Sequence, residues 1–209
     1  MVRGRRANPV LAVLLLAGLA AALGLAFVTQ APNRLISGVG VSLAEVIGAG
    51  AARGWALTPA LLLVAAAFET PTRTWTRGLT LLGATGSLAG LTWLAGTHAS
   101  ALVSEDMPLG RTSLGGGYWT MAVLCGLATA EALRGWSARA GVSLIGGAFV
   151  VAPVVALLRS GHLDALSLLK EYANRQEVFD AALQRHLLLV AATVVPTVLI
   201  GVPLGVLAA

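Results

Sequence analysis

The sequence predicts an all-α polytopic membrane protein, a bundle of about six transmembrane helices. Of its 209 residues, 57% are hydrophobic and only 11% are charged, against about 45–50% and 25% in soluble domains. The mean hydropathy is +0.84. A soluble helical domain of this length needs a polar face on most of its helices, and this chain has too few charged residues to supply them.

Six apolar segments follow one another along the chain. Residues 9–28 form the first and contain no charge. Residues 54–68 are short for a span of about 20 residues, so we expect this second segment to extend back over residues 46–52. Arg53 would then lie near its outer end, where a long side chain can reach the headgroups. The remaining segments are residues 79–96, 118–133, 141–158 and 187–209.

The basic residues predict that the N-terminus is cytoplasmic. Short cytoplasmic loops of membrane proteins are enriched in Lys and Arg. With the N-terminus inside, three short cytoplasmic stretches hold Arg3, Arg5, Arg6, Arg73, Arg77, Arg134 and Arg139. Basic residues on the other side are spread over longer loops and accompany acidic ones. The net charge of +5 thus reflects membrane topology, and we expect no nucleic-acid binding because no basic stripe with interleaved aromatics is present.

No catalytic residue, metal site or cofactor site is expected. Cys125 stands alone in the fourth segment and is interpreted as a small core residue. His98, His162 and His186 have no second ligand at metal-binding spacing on one helix, which favours interfacial or surface roles. The run Gly115-Gly116-Gly117 lacks the Lys and Ser/Thr of a phosphate loop, and we interpret it as a flexible start to the fourth segment.

Residues 163–186 predict an amphipathic helix on the periplasmic side. Tyr172, Phe179, Leu183 and His186 recur at helical spacing, and Glu171 precedes Arg175 by four residues, the favourable order for an ion pair. Such a helix would lie partly in the headgroup plane. One interpretation is a solvated connector whose apolar stripe rests on the bundle. The other is a docking surface for a partner protein.

The last apolar segment contains Pro196, Gly201, Pro203 and Gly205. Proline in the bilayer frees a carbonyl that must be satisfied elsewhere, so such helices often line a cavity or are covered by protein. Gly201 and Gly205 also form a pair that permits close helix contact. We expect these four residues to border a translocation path or shape a gating helix; a structural packing kink is the alternative.

Several stretches resemble one family of transport proteins. Residues 196–205, PTVLIGVPLG, are similar to the first core helix of the permease subunits of binding-protein-dependent ABC importers. Three stretches resemble, more narrowly, the glycine betaine/choline osmoprotectant permeases that carry extra N-terminal helices. They are residues 31–38 (APNRLISG), 111–119 (RTSLGGGYW) and 166–180 (LSLLKEYANRQEVFD).

The resemblance implies a division into three regions: residues 1–160 as an N-terminal five-helix membrane region, residues 161–186 as a periplasmic segment, and residues 187–209 as the start of the permease core. It also implies an inner-membrane protein active in osmotic stress. Its partners would be the lipid bilayer, an ATP-binding subunit, a second permease subunit and a periplasmic substrate-binding protein. The binding protein would contact Lys170, Glu171, Tyr172 and Arg175.

One departure from the family pattern affects coupling to ATP hydrolysis. The family docks its ATPase through a cytoplasmic loop with a Glu-Ala-Ala...Gly pattern, and Glu131-Ala132 is followed here by Leu-Arg-Gly. We therefore expect this chain to be the N-terminal portion of a longer permease, with ATP hydrolysis in another subunit. The alternative function is a membrane sensory or scaffolding module without transport activity.

Overall fold

The computed structural model describes residues 9–48, 74–103, 109–134 and 140–208. The predicted second apolar segment at residues 54–68 lies outside these residues, as does Arg53. The chain divides into two compact units, Met1–Ser167 and Leu168–Ala209. It is mostly helical, as predicted, and also contains a small β-sheet that was not predicted from the sequence.

Helices account for most of the described residues. The first apolar segment is shorter than predicted, because its helix ends at Gly24 and the chain then enters a strand. The amphipathic segment and the last apolar segment, predicted as separate helices, are not divided at residue 187; the break lies at Arg175, within the amphipathic segment. The helices are α1 (Pro9–Gly24), α2 (Leu43–Gly48), α3 (Thr74–Leu102), α4 (Gly116–Arg134), α5 (Ala140–Arg159) and α6 (Ser167–Ala208).

The sheet joins three segments that are far apart in sequence. Strand β1 (Val28–Ala31) lies between β2 (Val39–Val41) and β3 (Arg111–Leu114), and both pairings are antiparallel. Thr29 faces Gly40 on one side and Ser113 on the other. An Asn33 turn shapes the loop between β1 and β2, since Asn33 Oδ1 accepts hydrogen bonds from the backbone N–H groups of Leu35 and Ile36.

The core of the first unit lies where α1, α3, α4 and the sheet meet. Phe27, Val46, Leu94 and Cys125 are among its fully buried side chains, which agrees with the interpretation of Cys125 as a core residue. Tyr118 of α4 hydrogen-bonds to Thr92 of α3 across this core, with the two hydroxyl oxygens 2.8 Å apart. A second cluster, Leu81, Ala132, Leu133 and Val150, joins α3, α4 and α5.

The direction of each helix follows from these contacts. The C-terminal end of α1, the C-terminal half of α3 and the start of α4 all contact the sheet region. The loop after α5 reaches the same end, because Leu166 bridges to Thr112 of β3. We call this the sheet end of the bundle. The start of α3, the end of α4 and the start of α5 therefore lie at the opposite end.

Two of the described helices are long and apolar enough to cross a membrane, Trp75–Leu102 within α3 and Ser167–Leu207 within α6. Shorter apolar helices cover Ala12–Gly24 and Leu144–Arg159. The predicted total of six spans is thus met in part by the described helices.

Candidate functional site

The apolar half of α6 carries the four residues predicted to border a path. Pro196 and Pro203 are two turns apart and share one face of the helix, whereas Gly201 and Gly205, one turn apart, lie on roughly the opposite face. The structure therefore separates the four residues into a proline face and a glycine face. A Cβ atom added at either glycine would meet no atom within 4 Å, so the glycine face has room for a closely approaching neighbour.

The prolines alter the backbone hydrogen bonding of α6. Each proline lacks an N–H group, so the carbonyl groups of Ala192 and Leu199 lose their usual partners four residues later. Nearby, the hydroxyl of Thr197 donates to the carbonyl oxygen of Thr193 at 2.7 Å. Side-chain bonds of this kind compete with the backbone ladder and often accompany bends. This half of α6 thus has the features of a deformable helix.

The polar half of α6 contains the residues predicted to contact a binding protein. Lys170, Glu171, Tyr172 and Arg175 all lie within two turns of one another on this helix. Arg175 has non-helical backbone angles, φ −132° and ψ 20°, so the helix is interrupted there. The amphipathic helix predicted to begin near residue 163 starts at Ser167.

An aromatic and carboxylate cluster spans this interruption. The Tyr172 hydroxyl donates to Asp180 Oδ1 at 3.1 Å, and the Tyr172 and Phe179 rings meet edge to face with centroids 5.5 Å apart. Eight residues of straight helix rise about 12 Å, and the break at Arg175 lies between the two hydrogen-bonded residues. The cluster thus connects both sides of the break.

The sheet end of the first unit contains long-range side-chain hydrogen bonds that were not predicted from the sequence. The Gln30 side-chain amide Nε2 donates a hydrogen bond to Nε2 of His98, which joins β1 to α3. His162 Nε2 donates to the carbonyl oxygen of Trp93 at 3.1 Å, and the two rings stack with an interplanar angle of 6°. His98 thus connects β1 to α3, and His162 connects the loop after α5 to α3.

The glycine run at the start of α4 has a different role from the flexible start that we predicted. The N–H groups of Gly115 and Gly117 donate to the carbonyl oxygens of Phe27 and Ala26, both at 2.8 Å. A Cβ atom at Gly115 would lie 2.2 Å from the Ala26 carbonyl oxygen. Gly115 and Gly117 thus allow close backbone contact between α4 and the end of α1.

Signals for these features were present in short stretches of sequence. The strands are brief and bounded by turn residues, and the β-branched Val28 and Thr29 favour extended structure. Ser42 and Glu45 match the Ser-x-x-Glu pattern of a capping box at the start of α2. Long-range ties such as Gln30 to His98 have no local sequence signal. Among the described residues, no group of three or more His, Cys, Asp or Glu is placed to hold a metal ion.

Comparison with known families assigns most of the chain. Residues 5–169 match the family model described as the ABC transporter permease YehY, N-terminal domain. The match ends within two residues of Ser167, where the first compact unit ends. No curated protein and no solved structure shows significant similarity. The match favours the permease interpretation over the sensory-module alternative. Because it covers well over half of the sequence, the chain belongs to the family of the N-terminal domain of the ABC transporter permease YehY.

Proposed function

We propose that this chain forms the membrane-spanning part of the permease subunit of an ABC importer for osmoprotectants of the glycine betaine/choline type. The family match over residues 5–169 carries the permease role. Membership in an ABC permease family implies an inner-membrane protein that works with an ATP-binding subunit and other transporter components. A transport role, with ATP hydrolysis in a separate subunit, follows from the same membership.

The direction of the described helices supports a six-span topology with a cytoplasmic N-terminus. Residue 48 lies at the sheet end because Val46 belongs to the core beside it, whereas Thr74 begins α3 at the opposite end. Residues 48 and 74 are therefore at opposite ends of the bundle, as a membrane span between them requires. Loops 25–42, 109–115 and 160–166 then share the proposed periplasmic side, and Arg77 and Arg134 lie at the proposed cytoplasmic side, where basic residues are enriched.

The substrate proposal depends on the resemblance of residues 31–38, 111–119 and 166–180 to osmoprotectant permeases. A quaternary ammonium ion is recognised by aromatic faces, which in this class of importer we place in the separate binding protein. The permease then needs a water-accessible and tolerant path. The absence of charged side chains from residues 187–208 is compatible with such a path, and we propose that Pro196, Gly201, Pro203 and Gly205 border it or shape its gating helix.

We also propose that Lys170, Glu171, Tyr172 and Arg175 receive the substrate-loaded binding protein. Charge reversal by Lys170→Glu with Arg175→Glu should weaken docking roughly tenfold, mainly through slower association, because rim charges steer encounter. Binding of the loaded binding protein to permease in nanodiscs, measured at low and high salt, tests this. Arg185→Glu provides a control on the same helix. Equal effects of the control and the double variant would contradict a specific docking surface.

Uptake is the decisive test of the proposed function. The natural permease, expressed with the ATP-binding and substrate-binding subunits of its transporter, should import radiolabelled glycine betaine or choline into cells lacking other importers. Competition among glycine betaine, choline, proline betaine and unrelated amino acids then defines the substrate class. Uptake of a different solute would overturn the osmoprotectant assignment alone. A correctly inserted protein that imports no solute would favour the sensory or scaffolding module.

A further inference from the structure

An apolar groove lies between α3, α4 and α5 at the end of the bundle opposite the sheet. Its volume is about 440 Å³, within the range of about 300–1,000 Å³ that is typical of ligand sites. Leu81 and Leu133 are buried at its base, and Leu82, Ile145 and Phe149 are half or more exposed at its sides. The described lining contains only glycine, aliphatic and aromatic residues. Such a groove suits a hydrocarbon chain.

The groove is close to the proposed cytoplasmic surface of the membrane. Gly78 and Leu82 line it from the first turns of α3, and Leu133 lies next to the last residue of α4. Trp75 precedes Gly78 by three residues and Leu82 by seven, so the three residues share one face of α3. Trp75 is 51% exposed, and tryptophan favours the headgroup level of a bilayer. A chain in this groove would thus enter from the inner leaflet.

Two arginines are adjacent in sequence to lining residues at this same end. Arg77 precedes Gly78, and Arg134 follows Leu133. Arg134 is well exposed and also contacts Glu131 with an N–O distance of 3.7 Å. An exposed pair of this kind is weak, so Arg134 remains able to turn toward a phosphate. Basic residues beside grooves between transmembrane helices on the cytoplasmic side are suited to anionic headgroups.

We propose that an anionic glycerophospholipid of the inner leaflet occupies this groove. One acyl chain lies against Leu81, Leu82 and Phe149, and the headgroup phosphate is held near Arg77 and Arg134. The charge complementarity selects an anionic lipid over a zwitterionic one with the same acyl chains. This inference depends on the proposed membrane placement of α3, α4 and α5 and is independent of the transported substrate.

Lipid titration of the purified natural permease in neutral detergent tests the proposal. Native mass spectrometry gives the affinities for dioleoyl phosphatidylglycerol and dioleoyl phosphatidylcholine. We expect the wild-type protein to bind phosphatidylglycerol roughly 25-fold more tightly, since each of the two nearby arginines favours an anionic lipid by a factor of about five. Equal affinity of the wild-type protein for the two lipids would overturn the proposal, and this measurement needs no variant.

Two pairs of variants locate the site. Gly78→Leu places a side chain in the groove, where a Cβ atom meets nothing within 4 Å, and should weaken the binding of both lipids. Its control is Gly147→Leu, which adds a side chain in open space outside the groove lining and should leave the binding of both lipids unchanged. Arg77→Gln with Arg134→Gln should abolish the preference for phosphatidylglycerol, whereas Arg159→Gln, beyond the groove on α5, should preserve it. Equal effects within either pair would overturn this location.

The transport proposal and the lipid proposal can be contradicted independently of each other in these experiments. A permease that keeps its phosphatidylglycerol preference but imports no osmoprotectant contradicts the substrate proposal only. A permease that imports osmoprotectants but shows no lipid preference contradicts the lipid site only.

Discussion

Gly115 occupies a position where the available space, and not backbone flexibility, requires glycine. Its N–H group donates to Phe27 O, and an added Cβ atom would lie 2.2 Å from the Ala26 carbonyl oxygen. A backbone atom cannot move aside as the end of a long side chain can. The neighbouring Gly116 has its nearest atom, Leu25 Cδ1, 3.6 Å from an added Cβ, which is an ordinary contact.

This difference predicts opposite effects of two alanine substitutions. Gly115→Ala should destabilise the folded protein by about 1–3 kcal/mol, the cost of overpacking. Gly116→Ala should leave stability unchanged or raise it by up to about 1 kcal/mol, because alanine restricts the unfolded chain. Thermal unfolding of the purified protein in detergent, followed by circular dichroism, compares the two. A Gly115→Ala protein as stable as Gly116→Ala would show that Gly115 and the backbone at Ala26 do not approach so closely.

Glu45 adds a pH-dependent contribution at the start of α2. The Ser42 backbone N–H donates to Glu45 Oε2 at 2.7 Å, and the Ser42 hydroxyl donates to the same oxygen at 2.9 Å. The backbone hydrogen bond, followed by the hydroxyl bond, lowers the pKa of Glu45 below its ordinary value. The ionised carboxylate is therefore the form that stabilises the capping box.

The sign of this effect gives a second prediction. Because the pKa is lower in the folded state, the stabilisation is present above the ordinary Glu pKa of about 4.3 and is lost as the pH falls through the lower folded value. Glu45→Gln should remove this dependence, so the difference in melting temperature between wild type and variant should shrink from pH 7 toward pH 3. A constant difference over this range would contradict the role of the carboxylate charge.

At the scale of the element, α6 combines a charged half, a break at Arg175 and an apolar half with two prolines on one face. Every residue with a described side chain from Ala173 to Leu207 is exposed. From Leu187 to Leu207 these exposed side chains are mostly apolar, which is typical of a helix surrounded by lipid or by other membrane helices. This agrees with its hydropathy, the higher of the two long candidate spans.

The proline face of α6 gives a third prediction. Replacing both Pro196 and Pro203 by alanine restores hydrogen bonds to the carbonyl groups of Ala192 and Leu199 and stiffens the helix. If this helix gates the path, glycine betaine uptake should fall roughly fivefold or more at an unchanged amount of protein in the membrane. Val195→Ala, which lies on neither the proline face nor the glycine face, is the matched control. Unimpaired uptake in the double proline variant would indicate a packing kink without a gating role.

At the scale of the whole molecule, the sheet determines which loops lie together. It links residues 28–31 with residues 111–114, and the Thr112 to Leu166 bridge adds the loop after α5. These segments alternate along the chain with the helices, as the predicted topology requires of loops on one side of a membrane. A sheet that joins them at that surface would hold the helix ends in a fixed arrangement.

The topology gives a fourth prediction, tested by cysteine labelling. The sequence has one cysteine, Cys125, which is buried and can be replaced by alanine. In that background, Leu35→Cys at the sheet end should react with a membrane-impermeant maleimide in intact spheroplasts. Gly141→Cys, exposed at the other end, should react only after the membrane is opened. The reverse pattern would show that the N-terminus is periplasmic. Labelling of both sites in intact spheroplasts would show that residues 35 and 141 are on the same side of the membrane.

The sequence by itself determined the class of protein, the approximate places of α1, α3, α4 and α5, and the permease family. Each of these depends on local properties: apolar length, the positions of basic residues and short motifs. The prolines and glycines of α6 were likewise identified from the sequence alone, because they are local features. Their placement on opposite faces follows from the helical geometry.

The pairing of the β-sheet, the close contact at Gly115 and the hydrogen bonds of His98 and His162 were revealed only by the tertiary structure. Gln30 and His98 are 68 residues apart in sequence, and Trp93 and His162 are 69 apart. No local pattern records a contact over such a separation, because it forms only when packing of the intervening helices brings both residues to one end. The groove between α3, α4 and α5 has the same origin, since three helices must converge to create it.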